Sequence, residues 1–262
     1  MTISALSLVA MASYLACAFV LTRRSHHSKL GATSVVLATL ALLSHGLALF
    51  VLSKAEQGFN LGIFPIASLV ALCVATLLSA ILIWQPVKSL GVVIYPLAAV
   101  FVAIAQWLPS QRVIQSAPFI TQVHIALSIF SYSLLAIAAV QAIYLAFAHH
   151  RLKTHRPVLN FLPPLSTMEN ILFQLTGIAF ALLTISLVLG GLAIEDIGAQ
   201  HLAHKIFFSI LAWFVFAVLL IGRIKYHWRG HRAVKYVCTG VALLAIGFFG
   251  SKVVLELILH RA

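Results

Sequence analysis

The chain is poor in acids. Five Asp and Glu stand against 17 Lys and Arg in 262 residues, and all charged residues together make 8%. Soluble domains carry about a quarter of their residues as Asp, Glu, Lys or Arg, so a soluble enzyme and a disordered tail are both excluded. Cysteine is equally scarce. Cys17, Cys73 and Cys238 are far apart, lie inside apolar runs and form no C-x-x-C pair. That excludes a disulfide framework, a redox dithiol and a zinc site, and the missing C-x-x-C-H excludes covalently attached haem. No phosphate-binding glycine loop, nucleophile triad or carboxylate pair is present.

What the chain does have is hydrophobic length. Hydrophobic residues make 62% of it, about 162 residues, which at about 20 per helical span is enough for about eight crossings. The runs part at charge, Pro or Gly, giving spans near 3–22, 30–52, 63–84, 89–108, 119–147, 170–193, 203–222 and 234–257. The fold class is therefore all-α, a polytopic membrane protein of eight transmembrane helices. Residues 1–262 form a single integral membrane domain, with no internal repeat, linker or soluble domain. Tyr14-Leu15-Ala16-Cys17 faintly resembles a lipoprotein cleavage site. No cation precedes that run and Arg23-Arg24 follow it, so the first span reads as a retained helix.

The net charge of +12 sorts with topology and not with nucleic acid. With both termini on the outer side, the inner segments hold Arg23, Arg24, Lys29, Lys88, Arg151, Lys153, Arg156, Arg223, Lys225, Arg229, Arg232 and Lys235. Four acids (Glu56, Glu195, Asp196, Glu256) fall outside, and every inner segment is basic, as the positive-inside rule requires. Before the sixth span, Pro163-Pro164 stops any helix and Ser166-Thr167-Met168-Glu169 reads as a capping box.

Polar groups inside apolar spans need partners, so they are the informative residues. No carboxylate lies at mid-span, which weighs against an ion-coupled transporter. Seven histidines (His26, His27, His149, His150, His155, His227, His231) lie in basic inner segments, as surface charge or phospholipid contacts. His45 and His124 are different. His45 lies roughly 12 Å below the outer end of the second span and His124 roughly 8 Å below the outer start of the fifth, at about 1.5 Å per residue. His201 and His204 sit at the outer mouth of the seventh. His124, Ser128, Ser131 and Tyr132 follow helical spacing and read as one face, and Lys205, Ser209 and Trp213 repeat similarly. Imidazoles so placed serve as haem ligands, as hydrogen-bonded ties between helices, or as proton-relay or quinone contacts.

The stretch His124-Ile125-Ala126-Leu127-Ser128-Ile129-Phe130-Ser131-Tyr132 resembles the "H…SYA" signature of the cytochrome c assembly, or haem-handling, membrane proteins. Ser209-Ile210-Leu211-Ala212-Trp213, followed by Trp228-Arg229-Gly230-His231-Arg232-Ala233, is similar to that family's helix and "GWRG-x-A" inner loop. His45 with Gly62-Ile63-Phe64-Pro65 is similar to its second-helix histidine and "G-x-F-P" segment. The match runs over almost the whole chain and looks closest to the small eight-span, YpjD- and HemX-like branch.

The resemblance implies a multi-pass protein of the bacterial inner membrane that handles or senses haem on the outer side. It would hold b-type haem noncovalently, with His45 and His124 as iron ligands and Ser128, Tyr132 and His204 in the binding set. Trp213, Trp228 and Arg229 look structural or docking, with Trp228 an interfacial anchor. The expected partners are the lipid bilayer and another membrane protein, with no nucleic acid and no enzymatic step. The alternative is a non-enzymatic regulatory or partner subunit that keeps the fold without haem. Departures are specific: members that load haem carry an outer "WG-x-x-W-x-W-D" segment where this chain has Gly190-Gly191-Leu192-Ala193-Ile194-Glu195-Asp196 and no Trp. The family's histidine before the inner loop is also missing, the loop glycine is His227, and His260 does not fit the remaining position.

Overall fold

The computed structural model describes residues 2–23, 31–55, 58–60, 62–85, 87–108, 113–114, 118–155, 162–193 and 203–250. Eight α-helices follow one another among them: α1 (Thr2–Thr22), α2 (Ala32–Ser53), α3 (Ile63–Trp84), α4 (Lys88–Trp107), α5 (Phe119–Lys153), α6 (Leu165–Ala193), α7 (Ala203–Tyr226) and α8 (His231–Ala245). Three short strands, β1 (Lys54–Ala55), β2 (Gly58–Asn60) and β3 (Val113–Ile114), pair antiparallel in that order beside the ends of α2 and α4. They do not change the class, which is an all-helical polytopic membrane protein. The helices α1 to α7 are long and apolar enough to cross a bilayer. The eighth is shorter in its α-helical part and passes into a π-helical turn, Ile246–Gly250. The end of the eighth expected span, with Lys252 and Glu256, lies outside the described residues.

Burial is arranged for a lipid solvent. Large apolar side chains point outward: Leu43 is 69% exposed, Phe119 81% and Ile224 80%. Ala10, Ala41, Ala75, Ala138 and Ala179 are fully buried between helices. Where lipid tails are as apolar as Leu, helices gain nothing from hiding Leu, and small residues allow close backbone approach instead. In water so much exposed apolar surface would drive aggregation.

The polar ends of several helices exceed the apolar runs. Helix α5 continues past 147 to Lys153, its last turn carrying His150, Arg151 and Lys153. Helix α7 continues past 222 to Tyr226 with Arg223 and Lys225. Hydropathy ends at the membrane edge, whereas cations in a last turn favour the negative helix end and let the helix go on. At α6 the capping box does not form. The helix begins at Leu165, with the Pro164 carbonyl accepting from the Met168 amide at 3.0 Å. Ser166 is already inside the first turn, and the Glu169 carboxylate is engaged elsewhere.

The described chain divides into two compact units. Unit 1 comprises residues 1–116 and 158–163, and unit 2 residues 117–157 and 164–262. In unit 1, α1 packs on α2 and α4, and α3 on α4 and α2; in unit 2, α5 packs on α6 and α8, and α7 on α6 and α8. Helix α4 continues through Pro96 as one helix, although that ring removes a backbone donor.

Candidate functional site

In unit 2, α5 and α6 lie antiparallel, which brings the start of α5 beside the end of α6. There His124 Nδ1 lies 2.7 Å from the Ser186 backbone carbonyl and 3.1 Å from Ser186 Oγ. A carbonyl only accepts, so Nδ1 carries the proton and donates. In a neutral ring that leaves the Nε2 lone pair available. Ser128 Oγ meets Ser186 Oγ at 2.6 Å, and Ser131 Oγ donates to the Ala179 carbonyl at 2.8 Å. His124, Ser128 and Ser131 thus share the face turned to α6.

One glycine makes room for the ring. A Cβ at Gly190 would lie 2.7 Å from His124 Cε1, too close unless the ring moves. Ser186 and Gly190, one turn apart on α6, therefore form the cradle: a carbonyl that fixes the tautomer and a bare backbone that accepts the imidazole edge. Neither residue stood out in the sequence. The legible signal was small residues at i and i+4 on the helix facing His124, a pattern that is common wherever membrane helices pack.

Tyr132 does not join that face. It hydrogen-bonds Ser209 of α7 and meets the Phe248 ring edge-on at 5.9 Å. Eight residues turn the helix by about 80° beyond two full turns, enough to swing Tyr132 from α6 towards α7. The expected four-residue face is therefore three residues plus a separate tyrosine. His204 is exposed in the first turn of α7 and takes no part in the hydrogen-bonded cluster. His201, Glu195 and Asp196 lie outside the described residues. On α7, Trp213 Nε1 donates to Thr184 Oγ1 at 2.8 Å and its ring packs on Phe180 at 5.4 Å, so this tryptophan ties α7 to α6.

His45 belongs to unit 1 and is 1% exposed. Its Nδ1 lies 3.1 Å from Tyr14 Oη and its Nε2 2.9 Å from Ser68 Oγ. Both ring nitrogens are thus engaged by hydroxyls of α1 and α3. Tyr14 in turn stacks on Tyr95 of α4 at 5.7 Å, and Tyr95 Oη meets Ser79 Oγ of α3 at 2.9 Å. The chain Ser68–His45–Tyr14–Tyr95–Ser79 links all four helices of the unit. Ser68 and Tyr95 went unremarked in the sequence, and Tyr14 only as part of a faint cleavage-site pattern, because single hydroxyls in apolar runs carry no period.

The basic loop between α7 and α8 is held by the single acid of α6. Glu169 Oε1 accepts from the Gly230 amide at 2.8 Å and lies 3.8 Å from His149 Nε2. Gly230 has φ +58°, which favours glycine. Trp228 covers Gly222, where a Cβ would strike its ring, and lies against Tyr226 and Tyr236 at 6.3 and 5.2 Å, with the Arg232 guanidinium over it at 5.8 Å. Among the described residues no group of three or more His, Cys, Asp or Glu is assembled to hold a bare metal ion.

The cytochrome c assembly protein family matches residues 1–259. The inner membrane protein YpjD of Escherichia coli (strain K12) is 33% identical over 230 residues, which cover 86% of this chain and 87% of that protein. The cytochrome c biogenesis proteins CcsA of Guillardia theta and Chlamydomonas reinhardtii are 25% and 23% identical. Their alignments cover 72% and 64% of this chain and 75% and 50% of those proteins. No solved structure matches. With seven bilayer-length helices among the described residues and a family match over residues 1–259, the chain belongs to the cytochrome c assembly family of membrane proteins.

Proposed function

We propose that this protein holds b-type haem noncovalently in the bacterial inner membrane, on the side to which the start of α5 points, and handles or senses it there. The observation that carries the reading is the 2.7 Å bond from His124 Nδ1 to the Ser186 carbonyl. A histidine that ligates metal commonly donates its other ring proton to a carbonyl or carboxylate, which fixes tautomer and orientation. His124 meets that requirement with Nε2 as the ligating nitrogen. When bound, haem would supply an iron that accepts the imidazole nitrogen and carries one-electron redox chemistry. The protein's part is to hold it: His124 binds, Ser186 and Ser128 orient the ring, and Gly190 leaves it space.

Location follows from the similarity to YpjD, an inner membrane protein. Both termini are assigned to the outer side on the distribution of Lys and Arg, and the whole chain to one integral membrane domain on the family match over residues 1–259. The Trp-free interval 190–202 argues for holding haem without loading it onto cytochrome c.

A second reading, a partner subunit that keeps the fold without haem, is favoured by one observation. His45, the other expected ligand, has both nitrogens committed to Tyr14 and Ser68, and ligation by it would cost the Ser68 bond. The test is purification of the full chain from haem-replete cells. A Soret band with a b-type pyridine haemochrome, lost in His124→Ala, supports haem binding. A stoichiometric membrane partner without haem supports the second reading.

A further inference from the structure

Unit 1 contains a cavity of about 150 Å³ between α1, α2, α3 and α4, towards the α1–α2 and α3–α4 connections. Its inner wall is Cys17, Leu21, Ala38, Leu82 and the Tyr95 ring. No charged or histidine side chain lines it. Val35, Thr39 and Ile83 at its edge are exposed on α2 and α3, so it opens sideways into lipid.

One lining group is unexplained. Ser34 is 1% exposed, and its Oγ has no hydrogen-bond partner among the described residues. The Cys17 thiol donates to the Ser34 carbonyl at 3.5 Å, which occupies the backbone and leaves the hydroxyl free. Two other hydroxyls at the cavity are engaged: Ser79 Oγ donates to the Ala75 carbonyl at 2.7 Å, so Tyr95 donates to Ser79, while Thr39 sits at the exposed edge. A buried orphan hydroxyl is costly and calls for a partner. Water is a poor one, since it needs two to four polar contacts and the wall is mainly apolar; a cavity of this size takes a benzene-sized ring instead. A lipid acyl chain would leave the hydroxyl unsatisfied.

We propose that this cavity binds the ring of a membrane quinone: uncharged, flat, bilayer-soluble, and bearing a carbonyl that accepts from Ser34 Oγ while its apolar tail leaves between α2 and α3. The site is separate from His124 and stands or falls independently of the haem reading.

The test uses the full chain, stripped of bound quinone, in nanodiscs of defined phospholipid titrated with decylubiquinone. The expected result is saturable binding of one equivalent, with the carbonyl stretch of one ¹³C-labelled position shifted to lower frequency. Ser34→Ala removes that shift and weakens binding about fivefold, the worth of one hydrogen bond. It does not lower the ligand-free melting temperature, because it removes a costly orphan group. Ala80→Phe, or Ala38→Leu should the larger residue unfold the unit, abolishes binding by filling the cavity. Unsaturable partitioning overturns the proposal. So does a bound phospholipid that decylubiquinone fails to displace, or equal binding by Ser34→Ala and the filled variant.

Discussion

His124 and His45 are both intramembrane imidazoles, yet their hydrogen bonds assign them different work. His124 gives its Nδ1 proton to the Ser186 carbonyl and keeps Nε2 open, whereas His45 spends both nitrogens on hydroxyls of neighbouring helices. His45→Ala should therefore act on stability. It deletes two interhelical hydrogen bonds, orphans Tyr14 and Ser68, and opens a void, for an expected loss of about 2–4 kcal/mol in unit 1. A thermal melt in detergent checks this, and an unchanged transition would show the clasp to be idle. Gly190→Ala should leave the melt nearly unchanged while displacing the His124 ring, since the added methyl would fall 2.7 Å from Cε1. A shifted or weakened haem spectrum in a stably folded Gly190→Ala protein is the expected signature.

Among the elements, the loop between α7 and α8 rests on Glu169, whose Oε1 accepts from Gly230 at 2.8 Å. Glu169→Ala leaves that amide unpaired at a positive-φ glycine, so the loop should gain protease sensitivity with a loss of about 1–3 kcal/mol. Limited proteolysis, with cleavage near His227 in the variant only, reads this out. Gly222→Ala should disturb the same loop from the other side by driving into Trp228. The elements themselves were largely legible. Apolar runs gave α3 its bounds at Ile63 and Trp84, because composition changes sharply there. They missed the last turns of α5 and α7, where cationic turns extend a helix beyond the bilayer. They also misread Ser166 as a cap, because the first intrahelical bond starts from the Pro164 carbonyl. At the site, His124 and Ser128 were legible as lone polar groups at helical spacing. Ser186 and Gly190 were not, since only the docking of α6 against α5 gives a serine carbonyl and a bare glycine a role.

For the whole molecule, the few charges carry the proposed orientation and the many apolar residues set the solvent. Twelve of the 17 Lys and Arg, those from Arg23 to Lys235 named above, fall in alternate connections and the helix ends beside them, which is the basis of the proposal that both termini lie outside. Alkaline phosphatase fused after residue 57 or 115 should be active, and fused after residue 87 or 158 inactive. The reverse pattern would invert the protein and put His124 on the cytoplasmic side. The family match from residue 1 to 259 carries haem handling as an expectation for the whole chain, and the His124 cradle gives that expectation a place.

His124 is proposed to hold haem through Nε2. The most direct test is the absorption spectrum of the full-length protein purified from haem-replete cells, for the native sequence, His124→Ala and His45→Ala. A Soret band is expected in the native protein, lost in His124→Ala and retained in whatever fraction of His45→Ala stays folded. A Soret band of native intensity in folded His124→Ala would contradict this ligation.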